Sequence, residues 1–98
     1  MINNKIIKEI EGQRGILQII SVLNRNGELL YSKLYNNKPL IKISNNSTAK
    51  RALEKLLKYS LINERIVDGG NAKYYCLTNK GKRFAALLNK MGKILEEK

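Results

Sequence analysis

The 98 residues hold 19 Lys and Arg against eight Asp and Glu, a formal net charge of +11, with an apolar fraction of 43%. That length suits one domain with a single modest core, and that apolar content excludes wholesale disorder. One cysteine excludes an intramolecular disulfide, no apolar run approaches a membrane span, and "MINNKIIKEIEGQ" lacks the apolar block of a signal peptide, so a cytoplasmic protein is expected.

In chain order, Ile2, Ile6 and Ile10 recur every fourth residue with Ile7 beside them, which predicts a short amphipathic helix over 1–12. In "RGILQIISVLNRNG", Ile16, Leu17, Ile19, Ile20 and Leu23 form one helical face, and Asn26-Gly27 is its stop. "ELLYSKLYNN" predicts a shorter helix on Leu30 and Leu34, and "KPLIKI" an extended segment around Pro39. "SNNSTAKRALEKLLKYS" predicts a helix capped by Ser44, Asn45 or Asn46. Its buried stripe is Ala49, Ala52, Leu53, Leu56 and Leu57, and its outer face carries Thr48, Lys50, Arg51, Lys55 and Lys58. The small-to-large order of that stripe suits a helix whose first half projects past the core.

The period then changes to two. "LINERIV" and "AKYYCL" predict paired strands joined by the turn "DGGN". Thr78 is the expected N-cap of a last helix in which Phe84, Leu87, Leu88, Met91, Ile94 and Leu95 recur at three- and four-residue steps. The positive charge is concentrated. Residues 46–60 set Lys50, Arg51, Lys55 and Lys58 against Glu54, and residues 78–98 set six cations against Glu96 and Glu97, whereas 1–12 and 61–77 balance. Such patches attract polyanions such as nucleic acid. Lys80, Lys82 and Arg83 oppose the dipole of the helix they open, which a nearby phosphate would offset; the alternative is that they are merely solvated.

The order of elements resembles a winged helix-turn-helix, and two segments carry the resemblance. "STAKRALEKLLKYSLINERI" is similar to the recognition helix and first wing strand of winged-helix transcription regulators of the MarR, ArsR and PadR type. "YYCLTNKGKRFAALL" is similar to their second wing strand, Leu-Thr, and basic Lys-Gly-Lys helix start. The resemblance spans roughly residues 13–90. Two departures stand out: Ser60 occupies the position where these families usually have glycine, and "NNKPLIKISN" is longer than a tight helix-turn-helix turn. With no histidine and one cysteine, the chain cannot build the Cys/His metal site of ArsR-type sensors.

The resemblance implies a mostly helical α+β fold in one domain: an N-terminal helix over 1–12, a helix-turn-helix and wing over 13–77, and a C-terminal dimerisation helix over 78–98. It implies a homodimer bound to double-stranded DNA, with the helix at about 45–59 in the major groove and the wing over 62–77 on the backbone or minor groove. Asn45, Asn46, Ser47, Thr48 and Arg51 are then placed to reach bases, although asparagine at a helix start also serves as a cap. Lys50, Lys55, Lys58, Ser32, Lys33, Arg65, Lys73, Lys82 and Arg83 are candidates for the backbone. The stripes on Ile2, Ile6 and Ile10 and from Phe84 to Leu95 exceed what a three-helix core covers, and pairing them across a two-fold axis gives the dimer; the alternative is that they pack within one chain.

No catalytic constellation, metal site or cofactor is expected, and Cys76 reads as a packing residue. The protein is expected in the cytoplasm, associated with the nucleoid, with no membrane partner. Two other readings stay open: an architectural, sequence-indifferent DNA binder, and a winged helix used only for protein interaction. The operator, the sign of regulation and any small-molecule effector are not written in the chain.

Overall fold

The computed structural model describes residues 4–36 and 46–97. Along these the chain runs α1 (Asn4–Gly12), α2 (Ile16–Asn26), β1 (Leu29–Leu30), α3 (Tyr31–Asn36), α4 (Asn46–Lys58), β2 (Ile62–Val67), a 3-10 turn (Asp68–Gly70), β3 (Ala72–Leu77) and α5 (Asn79–Glu96). Ile2, Asn45 and the "KPLIKI" segment lie outside the described residues. The architecture is the expected one: mostly helical α+β, with a small antiparallel sheet and a long last helix.

Periodicity explains the core. Ile16, Ile19, Ile20 and Leu23 of α2 are buried as expected, and Val22 joins them. Leu17 does not, because it sits at the edge of the stripe and is exposed. Against α2 pack Leu34 of α3, the stripe Ala49, Ala52, Leu53 and Leu56 of α4, Leu61 and Ile62, Tyr75 and Leu77 of β3, and Ala85 of α5. The small residues of α4 allow its first turns to lie close to the core while their outer face stays in solvent.

The third helix begins later than its sequence suggests. Leu29 and Leu30 are extended and pair with Tyr75 and Tyr74, so the sheet has the order β1-β3-β2. A hairpin alone would leave one edge of β3 with unpaired backbone groups, and two residues of added strand satisfy them. Gly27, at φ 77°, caps α2 through its N–H to the Leu23 carbonyl and redirects the chain into that strand.

The hairpin registers Ile62 with Leu77 through Val67 with Ala72. Its turn places Asp68, Gly69 and Gly70 at positive φ, while Asn71 remains right-handed. Ile62 is buried but Ile66, on the same face, is 55% exposed. The distal half of the hairpin therefore stands clear of the core, as a wing does.

Two local structures fix the far end of α4. Leu61 N–H donates to the Leu56 carbonyl at 2.9 Å and Ser60 N–H to the Leu57 carbonyl at 3.0 Å, the paired bonds of a Schellman motif. Ser60 fills its left-handed position at φ 59°, where glycine would be unstrained. Thr78 then caps α5, its Oγ1 accepting from Gly81 N–H at 2.9 Å. Gly81 lies so close to the α4–β2 connection that a Cβ on it would stand 2.0 Å from the Leu61 carbonyl oxygen.

Past this junction α5 leaves the body of the protein. Phe84 and Leu88 are half-buried against the core. Leu87, Met91, Ile94 and Leu95 are 60, 57, 64 and 83% exposed. On α1, which has no buried residue, Ile6 and Ile10 are half-buried.

Candidate nucleic-acid interface

The exposed side of α4 is the most basic helical surface outside α5. Ser47, Lys50, Arg51 and Lys58 are exposed and Lys55 is half-buried. Ser47 and Arg51 stand one turn apart on one face, as do Lys50 and Glu54. Thr48 is half-buried, and its carbonyl accepts from Gln13 Nε2 at 3.3 Å, which pins the front of α4 to the α1–α2 connection. Asn46 opens the helix.

Between α4, the start of α3 and the wing lies a cleft of ≈ 470 Å³. Three of the expected backbone contacts, Ser32, Lys50 and Lys73, line it together, although they come from three separate elements. Two carboxylates, Glu54 and Glu64, line it as well. Glu64 accepts from the Tyr75 hydroxyl at 2.7 Å, and burial followed by this bond pushes the Tyr75 phenol well above its ordinary value. Lys33, also exposed, lies next to Ser32 on α3.

Other expected contacts lie elsewhere. Arg65 is engaged within the protein. Its Nη2 and Nε donate to the two oxygens of Glu28 at 2.7 and 3.1 Å, and its guanidinium stacks 4.5 Å from the centroid of Tyr74. The hydrogen bond from Arg65 holds the Glu28 carboxyl below its ordinary range. This bidentate pair fastens β2 to the α2–β1 turn across the sheet. Lys82 is exposed beside the same turn, near Gly27, Glu28 and Cys76, on a depression separate from the α4–wing cleft. Arg83 is exposed on the first turns of α5.

The charge at the start of α5 has a partial structural cause. Lys80 Nζ donates to the Tyr59 carbonyl at 2.7 Å. It thus places a cation at the C-terminal end of α4, where the dipole favours one. Lys58 is likewise engaged, 3.6 Å from Glu9 Oε1 and 5.5 Å from the Tyr59 ring centroid. The remaining cations, Lys50, Arg51 and Lys73 among them, form the outward-facing set.

The described residues contain no cluster of three or more His, Cys, Asp and Glu able to hold a metal. No helix among them is long and apolar enough to cross a membrane.

No family model matches the chain. The uncharacterized protein MJ0944 of Methanocaldococcus jannaschii is 34% identical over 90 residues, a span covering 89% of this chain and 71% of that protein. The chain belongs to the same family as that protein. Solved structures show the fold of this chain. A PadR family transcription regulator from Clostridium difficile R20291 superposes with a TM-score of 0.71 at 22% identity, over 83% of this chain and 88% of that one. The reduced form of the transcriptional regulator YodB from B. subtilis gives 0.70 at 22% identity, over 95% and 90%. A transcriptional regulator from Clostridium thermocellum gives 0.64 at 15% identity, over 98% and 92%. The fold of this chain is therefore the winged helix-turn-helix, with the β2–β3 hairpin as the wing and α5 as the trailing helix.

Proposed function

We propose that the protein is a sequence-specific, double-stranded DNA-binding transcription regulator that acts as a homodimer on the nucleoid. The observation that carries the proposal is the exposed basic face of α4, set beside a projecting wing, in a chain of +11 net charge. The first half of α4 enters the major groove, where Ser47, Thr48 and Arg51, with Asn45 and Asn46 ahead of them, meet base edges. Lys50, Lys55, Ser32, Lys33 and Lys73 hold phosphates along both sides of the groove. Arg65 acts through the wing's shape, because its guanidinium is held by Glu28. Lys82 and Arg83 meet the backbone only where DNA extends past the base of the wing.

The exposed Leu87, Met91, Ile94 and Leu95 support the dimer, because one chain offers nothing to cover them among the described residues. A second copy of α5, aided by α1, is the occupant proposed. The resemblance to transcription regulators in fold supports the DNA reading.

The test is titration of duplex DNA at several salt concentrations. A dimer neutralising on the order of eight phosphates gives a log–log slope of about −7. Selection from a random duplex pool then separates a regulator, which enriches one motif, from an architectural binder, which enriches none. A flat salt dependence, or no duplex binding at low salt, would leave the fold serving protein interaction instead.

A further inference from the structure

Both helices proposed to make the dimer bond to the turn that follows α4, residues 59–61. The carbonyl of Tyr59 accepts from Lys80 Nζ at 2.7 Å, that of Ser60 from Thr78 Oγ1 at 2.7 Å, and that of Leu61 from Thr78 N–H at 3.0 Å. Three successive carbonyls at the negative end of α4 are thus taken by Thr78 and the first turn of α5. Gly81, with no room for a side chain, lets that turn approach. From the other side, the Tyr59 hydroxyl donates to Glu9 Oε2 of α1 at 2.5 Å, fifty residues away in sequence. Lys58 flanks the same carboxylate. Tyr59 is therefore held by α5 through its backbone and by α1 through its side chain.

The two grips differ in kind. The α5 contact is made by a cap, a main-chain bond and a close backbone approach, and it has little freedom to change. The α1 contact is made by one carboxylate, Glu9, through the Tyr59 hydrogen bond and the Lys58 ion pair, on a helix with no buried residue. Gln13 ties the other end of the same segment to the front of α4. Loss of the Glu9 bond would leave that front tie in place, so α1 would pivot against α4 rather than detach.

We propose that the Tyr59–Glu9 hydrogen bond is a positioning contact that fixes α1, the less firmly held of the two dimerisation helices, at one angle to α4, and so sets the spacing between the two recognition helices of the dimer. This rests on the homodimeric DNA-binding reading. It adds that half-site spacing is specified by a contact far from any base, because two α4 helices rigidly carried on a dimer accept only one separation along the duplex. Glu9 and Tyr59 touch no DNA in this arrangement; they act through the attitude of α4.

The test compares wild-type protein with Glu9→Ala, Tyr59→Phe and Glu9→Gln, the last keeping an oxygen that accepts from Tyr59. In a Cys76→Ser background, spin labels on Ser47→Cys report the distance between the two α4 helices of the DNA-free dimer. Wild-type and Glu9→Gln proteins are expected to give one narrow distance. Glu9→Ala and Tyr59→Phe are expected to give a distribution at least about twice as broad, at an unchanged dimer dissociation constant. The four proteins without Ser47→Cys or label are titrated on duplexes carrying two copies of the selected half-site with the spacer stepped through one helical turn. Off-optimum spacers should cost wild-type and Glu9→Gln about a hundredfold, and the other two variants less than about tenfold. Equal distance widths and equal spacing preferences in all four proteins overturn the positioning role and leave the DNA-binding reading intact. A wild-type dimer that binds no duplex removes that reading instead, and the distance measurement then decides the positioning role by itself. A monomeric wild-type protein overturns the proposal outright.

Discussion

Replacing Met91 by glutamate should break the dimer without unfolding the chain. Met91 is more than half exposed on the part of α5 that has left the core, and glutamate is as good a helix former. The cost to the isolated fold should therefore fall within about ±0.5 kcal/mol, as for other surface changes. The cost to association is much larger. Fully burying a Leu, Ile or Met side chain is worth about 1.5–3 kcal/mol. With more than half of each of four side chains still available, two copies recover roughly 8–16 kcal/mol on pairing. That range overlaps an association cost of about 4–15 kcal/mol, so any surplus is small enough for one residue to remove. Met91→Glu deletes roughly 1–2 kcal/mol of burial from each chain, and desolvating each new carboxylate costs several kcal/mol more. At about 1.4 kcal/mol per tenfold, the dimer should weaken by about a thousandfold or more. Sedimentation equilibrium reads the association, and thermal melting at low protein concentration reads the fold. Leu88→Glu is the contrast. Leu88 is half-buried against the core, so that variant should lose folding stability as well. A wild-type protein that sediments as a monomer at high micromolar concentration, or a Met91→Glu variant that stays dimeric, would refute the reasoning.

Arg51→Ala should cost about 1–3 kcal/mol on a selected DNA site and little on scrambled DNA, whereas Lys73→Ala should weaken both alike and make the salt slope shallower by about one. Equal losses on both DNAs for Arg51→Ala would reduce that residue to a phosphate clamp. Ser60→Gly should stabilise the fold by about 0.5–1 kcal/mol, the relief of a left-handed serine less the added freedom of the unfolded chain, measured by urea unfolding. An unchanged or lower midpoint would show that Ser60 is not strained. The hydrogen bond from Tyr59, with Lys58 beside it, holds the Glu9 carboxyl below its ordinary value of 4.5, and Arg65 does the same for Glu28. Depressed folded values mean that the unfolded chain binds more protons in this window, so the stabilisation is fully present above pH 4.5 and is lost as pH falls through the folded values. Melting curves of the Glu9→Gln, Glu28→Gln double variant should fall less steeply below pH 4.5 than wild type, and parallel curves would contradict the assignment.

Most of the fold was legible because its elements bury periodic faces. The stripes of α2 and α4, the period-two hairpin, the DGGN turn and the Thr78 cap all announce themselves within a window of a few residues. Leu29–Leu30 did not. A two-residue strand has no period, and what makes it a strand is the open edge of β3, some 45 residues further on. The candidate site shows the same division. That α4 presents cations outward follows from its stripe. That Lys80 is drawn to the end of α4, and Arg65 to Glu28 37 residues away, does not, because nothing local marks either partner. An aromatic beside a helix end and an acid on an N-terminal helix are common, and only the folded chain shows that Tyr59 and Glu9 meet.

The close approach at Gly81 bears on how such chains are recognised. Any side chain there collides with the Leu61 carbonyl oxygen, whatever the protein binds. Within the basic Lys-Gly-Lys signature, then, the glycine answers to docking and the first lysine to the end of a neighbouring helix. The second lysine, Lys82, is exposed. A chain that lost its nucleic-acid target long ago would be under nearly the same pressure to keep those letters as one that still reads an operator. Searches keyed on that tripeptide collect proteins that fold alike, and on the function proposed above the letters that would sort readers from non-readers are those on the outer face of α4.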